Sequence, residues 1–193
     1  MCVIINKPVS ISIPDDILKK CWDTNPHGAG FMYSDSSKLI VKKGFMTFDR
    51  FLKEYRAVDQ SKNIVIHFRL ASYGEVVPEQ THPMSVYSNL AFVHNGHMIT
   101  KYIVEGTNTD KSDTMVFNEK VLMKLPINFL AFEAIRELIN SYIENSIILF
   151  MNNEGKITIL GDQGDTLVHR GCWFSNDYWL DSRYDQVEYC DNK

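Results

Sequence analysis

The apolar and polar positions divide the chain into short segments of two periods. The run Cys2 to Ile5, closed by Lys7-Pro8, is continuous apolar sequence of strand length and reads as a buried strand at the very start of the chain. Pro14 with Asp15 and Asp16 suits a first helical turn. Ile17, Leu18, Cys21 and Trp22 then recur at helical spacing until Asn25-Pro26 ends the pattern. Gly28 to Tyr33 and Leu39 to Lys43 read as a hairpin around the polar stretch Ser34 to Ser37, and Thr47 can cap a helix with Phe48, Phe51, Leu52 and Tyr55 on one face. Asn63 to Leu70 and Leu90 to Val93 are strand candidates. The long segment between them holds Gly74, Pro78 and Pro83, has little periodicity, and reads as a functional loop.

Further along, Ser112 or Asp113 can start a helix through Met123, and Asn128 can cap a second one to about Tyr142, with Leu130, Ala134, Leu138 and Tyr142 inward. Ile147 to Met151 and Lys156 to Leu160, joined by Asn152-Asn153-Glu154-Gly155, form a hairpin, and strands continue at Leu167 to His169 and Cys172 to Ser175. Strands, then two helices, then more strands predict an α+β class with helices layered on antiparallel sheet, not a βαβ alternation.

Composition narrows the class without changing it. The 193 residues, 45% hydrophobic and 23% charged, match one ordinary globular domain spanning residues 1–193. A net charge of -4, with 20 basic against 24 acidic residues, argues against a nucleic-acid or anionic-membrane partner. The start of the chain lacks the pattern of a signal peptide, and no run reaches the ~18 apolar residues of a membrane span. The expectation is a cytoplasmic protein. Cys2, Cys21, Cys172 and Cys190 form no C-x-x-C pair and no disulfide framework. No Gly-x-Gly-x-x-Gly, Walker loop or His-Glu-x-x-His is present.

Cys2 stands apart because removal of Met1 would leave a thiol and a free α-amino group on one residue. A thiol attacks only as thiolate, with a free pKa of about 8.5, and needs a base or an electropositive site. An α-amino group at ~7.7 to 8.0 titrates where a general base works best. Asn95 and Gly96 offer a side-chain amide and an unhindered backbone N–H in succession, a suitable oxyanion hole. Arg69 could grip a carboxylate with its planar fork and Asp113 could hold an ammonium, and the set together describes an amino-acid substrate. Other readings of the same residues stand beside these. His94-x-x-His97 could contribute to a metal site, Arg69 could be a structural ion pair, Asn95-Gly96 is a strong turn signal, and Ser112-Asp113 is a good helix start.

The ordered set of motifs resembles the glutaminase domain of class II glutamine amidotransferases, which are N-terminal nucleophile (Ntn) hydrolases. The resemblance lies in Met1-Cys2 before an apolar strand, Asn25-Pro26-His27-Gly28-Ala29-Gly30-Phe31, His67-x-Arg69-x-Ala71-Ser72-x-Gly74, Thr81-His82-Pro83, His94-Asn95-Gly96 and Ser112-Asp113-Thr114, with Trp173-Phe174-Ser175-Asn176 a weaker late match. It implies a four-layer αββα sandwich with antiparallel sheets. By the resemblance Cys2 is the nucleophile on the glutamine amide, its own amino group handles the proton, and Asn95 and Gly96 form the oxyanion hole. Arg69 and Asp113 match the residues that grip the α-carboxylate and α-amino group, with Ser72 and His82 also at the substrate. No cofactor and no metal are implied. The implied substrate is glutamine or a γ-glutamyl amide, and the ammonia acceptor could be a separate synthase chain. The alternatives are a stand-alone γ-glutamyl amide hydrolase without transfer and a catalytically silent binding or regulatory protein on the same scaffold. Val3 stands where many members have glycine, Tyr73 where several have histidine, and Leu70 where the sugar-phosphate enzymes have an aromatic residue; these departures bear on the acceptor and the loop.

Overall fold

The structure is a computed structural model and describes residues 1–98, 110–161, 164–180 and 188–189. Cys190 lies outside the described residues. Among these, the strands form two antiparallel sheets. The larger one contains β1 (Val3–Lys7), β2 (Ala29–Asp35), β3 (Lys38–Phe45), β4 (Ile64–Phe68), β9 (Leu167–His169), β10 (Cys172–Phe174) and β11 (Glu188–Tyr189), in the order β11-β9-β10-β1-β4-β2-β3. The smaller contains β5 (Met84–Tyr87), β6 (Leu90–Asn95), β7 (Ile147–Asn152) and β8 (Ile157–Gly161), in chain order.

Side-chain alternation explains why these strands read as unbroken apolar runs. In β1, Val3 and Ile5 face one core while Ile4 faces another; in β4, Ile64, Ile66 and Phe68 oppose Val65 in the same way. In β6 and β7, Phe92, Ile148 and Phe150 face outward from the pair of sheets, and Ala91, Val93, Leu149 and Met151 face inward. Each central strand is therefore buried on both faces, which removes the polar alternation of a half-exposed antiparallel sheet.

Helices cover the two outer faces. The helices α1 (Asp15–Thr24) and α2 (Phe48–Arg56) lay Leu18, Trp22, Phe51 and Tyr55 on the larger sheet. The helices α3 (Asp113–Lys120) and α4 (Glu133–Ile143) lay Val116, Phe117, Ile139 and Ile143 on the smaller one. The result is helices, sheet, sheet, helices, as the four-layer expectation requires. No described helix is long and apolar enough to cross a membrane.

Several local expectations are corrected. Thr47 stands at the N-cap of α2 but its side chain makes no capping hydrogen bond, whereas Ser112 does cap α3, accepting the Met115 N–H at 3.2 Å. The helix from Ser112 does not run on to Met123: α3 ends at Lys120 and a separate 3-10 turn follows at Leu122–Lys124. Asn128 precedes a 3-10 turn at Phe129–Ala131, and α4 begins only at Glu133. Its buried stripe is Ile139 and Ile143, flanked by Ile135 and Tyr142, not Ala134 and Leu138. Leu138 is 70% exposed. The break before Glu133 resets the helical phase, so a stripe counted from Leu130 falls one residue off. Strand β5 lies inside the segment read as loop; it is only four residues long, and its exposed Ser85 breaks the apolar run.

Candidate active site

Strand register assembles the site. Val3 pairs with Phe68 across β1 and β4, so Cys2 and Arg69 are the next residues beyond the paired ends of adjacent strands. Strand β6 ends at Asn95, paired with Ile147, and α3 opens at Asp113. Cys2, Arg69, Ser72, His82, Gly96 and Asp113 line one cleft. Six of the seven residues singled out for chemistry therefore meet, although they come from five separate stretches of the chain.

Leu70 faces the thiol with both of its peptide groups. Its N–H donates to Cys2 Sγ at 3.3 Å, and its carbonyl lies 3.5 Å from the same sulfur. Burial pushes the Cys2 thiol above its ordinary pKa; the Leu70 hydrogen bond, the positive chain terminus and Arg69 pull it back, and Asp113 pushes it up again. The net effect is upward, so the thiol is protonated at neutral pH.

Arg69 is almost fully buried. Its guanidinium donates to the carbonyls of Glu75 at 2.8 Å and Tyr73 at 3.0 Å, bracing the loop that carries Ser72. Burial lowers its pKa, opposed by the charges of Cys2 and Asp113. These two bonds use two of its five N–H donors and leave the others for a ligand. The same loop is pinned by Gly74, where φ is +73° and an added Cβ would stand 2.6 Å from the Ser112 nitrogen. Ser72 itself is exposed on the loop.

Asp113 accepts the Thr114 N–H at 2.7 Å and the Met98 N–H at 2.9 Å, one on each carboxylate oxygen. The Thr114 hydroxyl donates to Asp113 Oδ1 at 3.2 Å, and His94 Nδ1 lies 2.8 Å from that hydroxyl oxygen. With the hydroxyl proton on Asp113, His94 carries its own proton on Nδ1. Behind the cleft, His67 Nε2 lies 3.0 Å from the His94 carbonyl and 3.1 Å from His82 Nδ1, which also accepts the His94 N–H at 3.4 Å. His82 Nδ1 is thus an acceptor, and its proton belongs on Nε2.

Burial lowers all three imidazoles. His67 falls to about 3 against the pull of its bond to the His94 carbonyl, and His94 to about 4 against the attraction of Asp113. Burial, reinforced by His67 and His94, carries His82 well below its usual range. All three are neutral at pH 7, and groups so weakly basic are poorly matched to taking a proton from a thiol at that pH. Among the described residues, no group of three or more His, Cys, Asp and Glu is arranged to hold a metal ion.

Gly96 and Asn95 part company. Gly96 lines the cleft with φ at +132°, and an added Cβ would stand 2.8 Å from Ser146 Cα. Asn95 instead lines a second cavity together with Met1, Ser175 and Asn176. Its Nδ2 donates to Ser175 Oγ at 2.9 Å, while its Oδ1 is buried without a hydrogen-bond partner. Ser175 Oγ also accepts the Ile4 N–H at 2.9 Å, and Asn176 Nδ2 donates to the Cys2 carbonyl at 2.7 Å.

Sequence reasoning assigned no role to Leu70, Thr114, Ser175 or Asn176. Leu70 acts through its backbone and leaves no side-chain signal. Thr114, Ser175 and Asn176 belong to stretches that carried the resemblance, which was the available signal for them.

No protein-family profile and no curated protein sequence matches the chain. Solved structures do. The glutamine phosphoribosylpyrophosphate amidotransferase of B. subtilis, solved with ADP and GMP, is 17% identical, with a TM-score of 0.62 over 97% of this chain and 44% of that one. A structure described as the allosteric regulatory enzyme of purine biosynthesis is also 17% identical, with a TM-score of 0.63 over 98% of this chain and 44% of its own. The chain therefore spans less than half of the length of these proteins. The chain shares with these structures its fold of two antiparallel sheets between layers of helices.

Proposed function

We propose that the chain hydrolyses the side-chain amide of glutamine, or of a related γ-glutamyl amide, through a thioester on Cys2. The observation that carries this reading is the convergence of the Cys2 thiol, the buried Arg69 and the Asp113 carboxylate on one cleft. Arg69 and Asp113 offer opposite charges, which suit the α-carboxylate and α-ammonium of a free amino acid. The fold shared with an amidotransferase supports the same reading.

In this reading Met1 is removed and the α-amino group of Cys2 becomes the base, since burial leaves His82 and His94 too weakly basic for that task. The thiol proton passes to that amine as sulfur bonds to the amide carbon, and the carbonyl electrons move onto oxygen. The oxyanion is met by the Gly96 N–H and the Asn95 amide, each donor worth ~3 kcal/mol of barrier. Collapse of the intermediate breaks the carbon–nitrogen bond, and the proton goes from the amine to the departing nitrogen, releasing ammonia. Water, deprotonated by the same amine, then cleaves the thioester to glutamate and regenerates the thiol. The ammonia goes to a separate synthase chain or to water.

The test is to supply purified protein with glutamine and a panel of γ-glutamyl amides and to quantify glutamate and ammonia, with Cys2→Ala as control. Turnover of glutamine that disappears in the control supports the reading. Preference for another γ-glutamyl amide points to a stand-alone hydrolase, and turnover retained in the control overturns the mechanism.

A further inference from the structure

Ser175 joins two elements that the reaction needs to keep in register. It follows the last residue of β10, is 2% exposed, and exchanges two hydrogen bonds with Ile4 of β1. Its Oγ accepts the Ile4 N–H at 2.9 Å, and its own N–H donates to the Ile4 carbonyl at 3.0 Å. On its other side the same Oγ lies 2.9 Å from the side-chain amide of Asn95, at the end of β6 in the opposite sheet. One hydroxyl thus ties the strand that begins just after Cys2 to the residue read as an oxyanion donor.

The proton count of this contact selects an orientation. A serine hydroxyl has one proton to give and an asparagine amide has one oxygen to receive it, and the two ends of the amide interchange by a half-turn of its terminal torsion. With Nδ2 against Ser175, the hydroxyl receives from both neighbours while Asn95 Oδ1 is buried with no donor. With the amide turned over, Ser175 receives from Ile4 and gives its proton to Asn95 Oδ1. The serine hydroxyl and the amide oxygen are then both satisfied, and both Nδ2 protons face away from Ser175, as a donor to a developing oxyanion must.

We propose that Ser175 is a positioning residue that holds the Asn95 amide with its oxygen on the serine hydroxyl and its N–H groups toward the reacting carbonyl. The functional half of this inference rests on the reading of Asn95 as an oxyanion donor; the orientation itself does not.

Two measurements on the full chain separate them. A neutron structure of the wild type locates the deuterons, and Asn95 Nδ2 is expected away from Ser175; deuterons of Nδ2 on Ser175 Oγ overturn the proposal whatever the activity. A double-mutant cycle then tests the effect on turnover. Ser175→Ala is expected to lower kcat for glutamine by about tenfold with KM little changed, and Ser175→Thr, which keeps the hydroxyl, to recover most of the loss. Alkylation of Cys2 by iodoacetamide should proceed in Ser175→Ala at the wild-type rate, since it needs no oxyanion donor. In an Asn95→Ala background the serine substitution should have almost no further effect. Equal losses in both backgrounds overturn the proposal, because Ser175 then acts without Asn95. Wild-type turnover in Asn95→Ala overturns the oxyanion reading instead, and the neutron result still decides the orientation.

Discussion

The Leu70 N–H points at Cys2 Sγ from 3.3 Å, on a strand end that also supplies Arg69. A backbone donor in that position stabilises a thiolate without adding a base, and burial of the sulfur outweighs it. In protein that keeps Met1, alkylation of Cys2 by iodoacetamide should therefore be slow at pH 7 and climb with pH to an inflection above the ordinary thiol value of about 8.5. The rate profile, followed by mass spectrometry, checks this. An inflection below that value would show that the charges of Arg69 and the chain terminus overcome burial.

Intact mass decides the state of the N-terminus. The expected product is the chain lacking Met1, because an acylated nitrogen on Cys2 is no base and Met1 lines the cavity that holds Asn95. Active protein that quantitatively keeps Met1 would remove the amine from the mechanism. Cys2→Ala should abolish turnover and leave the unfolding midpoint nearly unchanged, since the change removes a single sulfur atom from a half-buried residue at a strand end.

Gly96→Ala should be costly on two counts. The residue has φ at +132°, outside the reach of most L side chains, and the new methyl would meet the backbone and side chain of Ser146. Ser146 cannot easily retreat, because its Oγ donates to the His97 carbonyl at 2.8 Å. A loss of about 2 kcal/mol or more in chemical denaturation is expected, with loss of turnover. An alanine variant of wild-type stability would show that the turn after β6 is freer than its contacts indicate.

The strands were legible because burial on both faces leaves them as unbroken apolar runs, and α1 because Ile17, Leu18, Cys21 and Trp22 keep a single phase. The phase of α4 was not, because a 3-10 turn at Phe129–Ala131 interrupts the count and turns Leu138 to the surface. The convergence of Cys2, Arg69 and Asp113 was legible through ordered motifs, since each falls at an element end. What the pattern could not carry was backbone chemistry, such as the Leu70 peptide on the thiol, or the division of labour around Asn95. That division depends on Ser175, some eighty positions away in the sequence.

The buried histidines predict acid sensitivity. His67 titrates at about 3 in the folded chain against 6.5 when free, so between these values the unfolded chain binds the extra proton. Its contribution to stability is complete above about pH 6.5 and is lost progressively as pH falls toward the folded value, amounting to about 3 kcal/mol between about pH 7 and about pH 4. His94, at about 4, acts in the same direction. Denaturation midpoints measured across this range should fall on acidification, and His67→Gln, whatever its stability at pH 7, should show a shallower fall. A slope equal to that of the wild type would mean that His67 is protonated in the folded state.

Arg69→Lys separates the proposed substrate clamp from the structural brace. Two of the guanidinium's bonds go to the carbonyls of Tyr73 and Glu75, so the substitution disturbs the loop as well as the cleft. A lysine ammonium can keep one such contact but cannot reproduce a planar fork. If the remaining donors grip the α-carboxylate, kcat/KM for glutamine should fall by about ten- to a hundredfold, corresponding to ~1.5 to 3 kcal/mol for a charge-assisted contact. The control is a γ-glutamyl analogue without the α-carboxylate, which should already be a poor substrate and lose little more in the variant. Hydrogen exchange across residues 70–77 reads the brace separately. If exchange quickens there and both substrates suffer equally, Arg69 serves the loop, and recognition of the amino acid must rest on Asp113 and the backbone around it.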